Sequence, residues 1–235
     1  MTRMTDWAIG PACGLTFLMC ATGLAAADDT KSPYPSMAPI AQYKVAGDEA
    51  ALARSAAPPS ISDGAGVMVL GTHGYETVAK SKNGFLCIVE RSWGSAFDDP
   101  GFWNPKIRGP ICFNAAAARS VVPAYLERTR WILEGVSTAD MVARIKSELA
   151  ANTFVMPEPG AMCYMLSKQQ YLSDDGGHWH PHLMFFVAHA DLASWGATLK
   201  GSPVLGAVGN PDPVTTFFVP VSKWSDGTPA EMAMH

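Results

Sequence analysis

The chain has 235 residues, of which 48% are hydrophobic and 16% charged, with a net charge of −4 at pH 7. That balance supplies a core and argues against general disorder. It also argues against nucleic acid as a partner: the longest basic grouping is the sparse Lys80-Ser81-Lys82, and phosphate binding needs clustered cations.

In the first 27 residues Arg3 precedes the apolar stretch Gly14 to Leu24 and the small residues Ala25-Ala26-Ala27 follow, the pattern of a secretory signal peptide cleaved after Ala27. The apolar run falls short of the roughly 20 residues a membrane span needs, and no later segment reaches that length. The expected location is periplasmic or extracellular, with no membrane span after cleavage. Residues 28–47, interrupted by Pro33, Pro35 and Pro39, read as a flexible leader, and 48–235 as one globular domain.

Asp48 is placed to cap a short helix over Glu49 to Arg54 that Pro58-Pro59 must end. Val67 to Leu70, Tyr75 to Val78 and Phe85 to Val89 then read as strands, with Asn83-Gly84 as a hairpin turn joining the second and third. Ser92 to Phe113 carries Trp93, Phe97, Phe102, Trp103 and Phe113 among Gly, Pro and Asp. It reads as a long loop pinned by aromatic anchors, or as a lid over a pocket. Asn114 can cap a helix from Ala115 to Glu134 that Pro123 should kink or split and Gly135 should stop, and Ser137 can cap another reaching Ala150.

Extended segments return at Ala161 to Leu166, Leu183 to Ala188, Pro203 to Val208 and Val214 to Val221. The order strands, helices, strands predicts an α+β fold with a mostly antiparallel sheet and a central block of two to three helices, because a parallel doubly wound sheet needs helices between successive strands.

After signal cleavage three cysteines remain, Cys87, Cys112 and Cys163, in a compartment where disulfides persist. Connectivity stays open in the sequence. Pairing Cys87 with Cys112 would close the aromatic loop and restrict the unfolded chain by roughly 3 kcal/mol. Cys163, set among Ala161, Met162, Tyr164 and Met165, would then be a free, buried thiol.

The run His178-Trp179-His180-Pro181-His182 concentrates three of the six histidines at alternate positions. In an extended chain their side chains would share one face, roughly 6.5–7 Å apart, which suits one metal ion or one polar pocket. Imidazole is the commonest protein metal ligand. His178, His180 and His182 are thus the candidate metal ligands, with His73 in the turn Gly71-Thr72-His73-Gly74 as a remote one. Zn2+ is the expected ion, and Cu the alternative given Met162, Met165 and Met184. Core histidines packed beside Trp179 are the competing reading.

Two further classes stay open. Cys163, activated by a histidine of the run and assisted by Asp174 or Asp175, would make a Cys-His acyl-transfer hydrolase. A non-enzymatic module would grip an apolar or sugar-like small molecule with Trp93, Trp103, Tyr171, Trp179 and Trp195. Serine-elbow, phosphate-loop and dinucleotide fingerprints are absent, so no nucleotide cofactor is expected.

Through Gly71-Thr-His-Gly-Tyr-Glu76, Phe102-Trp-Asn-Pro-Lys106, Pro159-Gly-Ala-Met-Cys-Tyr-Met165 and Gly177-His-Trp-His-Pro-His-Leu-Met184, the chain resembles a set of exported bacterial proteins of unassigned function. The resemblance covers most of the region after Ala50. It implies a bacterial secreted origin and carries no chemistry.

Overall fold

Capping and proline chemistry place the helices where the sequence puts them. The computed structural model describes residues 32–177, 179–209, 211 and 213–230. The expected signal peptide therefore lies outside the described residues, as do the first residues of the expected leader and His178. Helix α1, Glu49–Arg54, is capped by the Asp48 side chain, which accepts from the Ala51 N–H at 3.0 Å. A short helix not foreseen, α2 (Pro59–Ser62), starts on the second of the two prolines. Asn114 caps α3 (Ala115–Ser120), and Pro123 splits the long pattern, entering the first turn of α4 (Val122–Leu133). Ser137 caps α5, Thr138–Ala150.

The strands are β1 (Gly66–Leu70), β2 (Tyr75–Ala79), β3 (Leu86–Glu90), β4 (Gly109–Phe113), β5 (Met162–Met165), β6 (His182–Ala188), β7 (Leu205–Val208) and β8 (Val214–Pro220). They form one eight-stranded sheet in the order β2-β1-β3-β4-β5-β6-β8-β7. Every pair is antiparallel except β1 with β3. The fold is α+β with a mostly antiparallel sheet.

Two expectations need correction. Asn83-Gly84 does turn the chain, with Gly84 at φ +83, but it joins no hairpin: β2 pairs with β1, and β3 lies parallel to β1 on its other side. The Asn83 amide donates to the Ile61 carbonyl at 2.7 Å and its oxygen accepts from the Phe85 N–H, so the turn hooks the crossing chain under the start of β1. The second concerns the loop after Ser92, which contains β4. This strand is buried at all five positions and carries no alternation to announce it.

The two faces of the sheet bury different material. On one face Ile88, Ile111, Phe113, Cys163, Met165 and Met184 pack against Val122, Trp131 and Ile132 of α4 and Met141 and Ile145 of α5. On the other, Val67, Val89 and the Cys87–Cys112 disulfide lie under the small side chains Ala53, Ala56, Ala57 and Ala65. Cys87 and Cys112 are direct cross-strand partners in β3 and β4, which is why they can bond.

The expected flexible leader is in part built into the core. Tyr43 is fully buried, with its ring 5.0 Å from Trp93. Arg91, also buried, donates through Nε to the Tyr43 carbonyl at 2.7 Å, and Arg108 donates to the carbonyls of Gln42 and Lys44. Two guanidinium groups thus take their acceptors from this segment, fixing it against the sheet. Arg91 also pairs with Glu49 at 2.9 Å, and Glu49 accepts from the Leu70 N–H, joining α1 to the ends of β1 and β3.

Candidate functional site

Among the described residues the expected histidines His73, His180 and His182 do not gather at one point. Strand β6 begins only at His182, so His180 stands outside it. His182 is 2% exposed; its ring lies 4.5 Å from Trp179 and 6.1 Å from Phe218. Its Nδ1 sits 2.8 Å from the His180 carbonyl, which can only accept, so Nδ1 carries the hydrogen. Burial pushes its pKa down, against the pull of that hydrogen bond. His73 sits in the β1–β2 turn, and four strand spacings separate β1 from β6, about 19 Å. His73 therefore cannot share an ion with His182. Among the described residues no three histidine, cysteine, aspartate or glutamate side chains gather to hold a metal.

Cys163 lies in β5, opposite Phe113 on one side and Met184 on the other, and is fully buried. Burial pushes its thiol well above the ordinary range, and the nearby Glu90 charge adds to the effect. A nucleophilic cysteine needs the opposite setting. Asp174 is equally unsuited to assisting it: its carboxylate accepts from the Tyr34 and Tyr171 hydroxyls, Asn104 and Lys106, and these donors, Tyr34 foremost, hold it well below the usual range. It ties three segments together. Asp175 is exposed.

The five aromatics proposed for a gripping cleft each spend their rings locally. Trp93 is buried and donates through Nε1 to the Thr129 hydroxyl at 2.9 Å, and Trp103 packs edge-on to Phe102. The Tyr171 hydroxyl serves Asp174, Trp179 covers His182, and Trp195 stacks on Phe217 at 4.3 Å. The aromatic loop is pinned rather than lid-like.

A different concavity exists where the β1–β2 turn approaches α3 and α4, an open groove of about 430 Å³. Tyr75, Leu86, Val122 and Leu126 supply its apolar surfaces, and Ala118 leaves room between them. His73, a predicted site residue, stands on its rim with Glu127 and Arg130. Arg130 is ion-paired to both Glu127 and Glu134, so the rim carries no unbalanced cation from that side chain. Beneath the groove the Tyr75 hydroxyl donates to the Val89 carbonyl at 2.6 Å and lies 3.2 Å from the Tyr125 hydroxyl, which accepts from the Arg91 N–H. Burial raises the pKa of both tyrosines, Tyr75 to about 12. They are neutral anchors that fix this wall in place. No family model, curated protein or solved structure matches the chain.

One group that sequence reasoning passed over is Glu90. Burial pushes its carboxyl up to about 7, with Arg128 acting in the opposite direction. The signal was present in strand parity: Leu86, Ile88 and Glu90 alternate onto one face of β3, and Ile88 faces the helices.

Proposed function

We propose that the protein is an exported, non-enzymatic binding module that takes a small, mainly apolar and uncharged molecule in the groove between the β1–β2 turn and α3–α4. The observation that carries this reading is the groove itself. Its volume falls within the range of small-molecule sites, and apolar walls with a few polar rim groups are what such sites use. The pairing of Arg130 with two glutamates disfavours an anionic ligand, since among the described residues no unpaired Lys or Arg lines the groove to compensate a desolvated negative charge. His73 and Glu127 can hydrogen-bond one polar end of the ligand. Export is supported by the signal-peptide pattern of the first 27 residues and by the Cys87–Cys112 disulfide.

A fluorescence titration with the neutral apolar probe N-phenyl-1-naphthylamine tests this. Binding should saturate at one site and weaken by about tenfold or more in Leu126→Glu, which sets a charge into the apolar wall. An unchanged titration in that variant, or no binding to the native protein, would refute the reading.

A further inference from the structure

Glu90 closes β3 with its stem passing Gly109 of β4, where a Cβ atom would stand 3.6 Å from the Glu90 Cβ. Its carboxylate ends over Gly94, whose missing Cβ would stand 3.4 Å from Oε2 and 3.6 Å from the Tyr125 ring. The group is thus wedged between the 3-10 turn Ser92–Gly94, β4 and α4. Among the described residues it has no hydrogen-bond donor and no ion pair, although it is only partly exposed. The charged and titratable groups that face it are Arg128 and Tyr125 from α4, Tyr75 from β2 and Cys163 from β5.

Most of these are engaged elsewhere. The Tyr125 hydroxyl accepts from the Arg91 N–H and lies against the Tyr75 hydroxyl; Arg128 donates to the carbonyls of Trp93 at 3.1 Å and Ser95 at 3.2 Å, with its guanidinium 4.6 Å from the Phe97 ring centre. Cys163 is sealed. In the same turn the Ser92 hydroxyl is buried with no partner, so an unpartnered acceptor and an unpartnered donor sit two residues apart. A neutral carboxyl fits this half-buried setting, whereas an ionised one has no protein donor at the seam and must draw water in from its exposed edge. That seam is made by the same turn: Trp93 donates to Thr129 of α4, and Arg128 of α4 holds the turn's carbonyls.

We propose that the Ser92–Gly94 turn is a proton-operated latch on α4, shut while Glu90 is protonated and loosened when Glu90 ionises and recruits water or the Ser92 hydroxyl. The latch bears on the helix that also walls the groove, but it does not depend on a ligand there. Burial places the midpoint of the transition near pH 7, with the effect nearly complete about one unit above it.

Hydrogen exchange of the full chain, corrected for intrinsic rates and compared at about pH 6 and about pH 8.5, reads the latch locally. Segments 91–97 and 122–130 should lose protection by about tenfold at the higher pH in the native protein and by none in Glu90→Gln. Equal protection at both values in the native chain, or the same loss in Glu90→Gln, would overturn the proposal. Because that variant could fold poorly, a side-chain carboxyl NMR titration of the native protein provides a second reading. One glutamate should titrate near 7, and a set that all titrate below about 5.5 would equally overturn the latch.

Discussion

Replacing Glu90 by Gln should remove a pH-dependent cost that the native protein carries through the neutral range. The carboxyl titrates at about 7 when folded, against an ordinary 4.5, so the folded state holds its proton more tightly. The stabilisation from that proton is complete below about pH 4.5, falls as pH rises towards 7, and is gone above it. At 1.36 kcal/mol for each tenfold change in proton affinity, the loss amounts to about 3 kcal/mol, or about 6–12 °C in melting temperature for a domain of this size. His182, pushed down by burial, works in the opposite sense: its contribution is lost as pH falls below about 6.5. It is present in both proteins and cancels in their difference. Thermal and urea melts of native and Glu90→Gln protein from about pH 4.5 to about pH 8.5 measure that difference. The variant should gain on the native protein steadily as pH rises and level off about one unit above pH 7. Parallel profiles would refute the placement of an unpartnered carboxyl at this seam.

Reduction of the Cys87–Cys112 bond, or its replacement by two alanines, should cost about 3.5 kcal/mol on the loop-entropy model for a separation of 25 residues, measured as a shift in the urea midpoint. Glu49→Gln leaves the buried Arg91 guanidinium without its carboxylate and should destabilise by about 3–5 kcal/mol; a loss under about 1 kcal/mol would contradict the burial of that pair. Cys163 should resist iodoacetamide in native protein at about pH 8 and react at once in denaturant, as mass spectrometry would show.

Local chemistry was legible in the sequence and topology was not. Asp48, Asn114 and Ser137 marked helix starts because a side-chain cap is a contact within three residues, and Pro123 split its helix by a rule that needs no tertiary partner. The turn at Asn83-Gly84 was equally local, but which strands flank it depends on β1 accepting β3 along its far edge, a choice made by distant residues. Strand β4 escaped notice because Gly109-Pro110-Ile111-Cys112-Phe113 is buried on both faces and opens with two loop formers. The histidine run suggested a shared face only if it was extended; β6 starts at its last member, and the aromatic neighbours Trp179 and Phe218 absorb His182. The groove could not be read in advance, since it joins a hairpin turn to helices some 45 residues later. Glu90 could have been: an acid on the core-facing parity of an apolar strand is visible without coordinates.

The claim that this chain is a binding module rests on the groove, and backbone amide NMR during titration with N-phenyl-1-naphthylamine tests it most directly. Saturable shifts confined to residues 73–75, 86 and 118–130 are the predicted result, with Ala118→Trp, which fills the groove, abolishing them. Shifts centred elsewhere, or shifts that survive Ala118→Trp, would contradict the assignment.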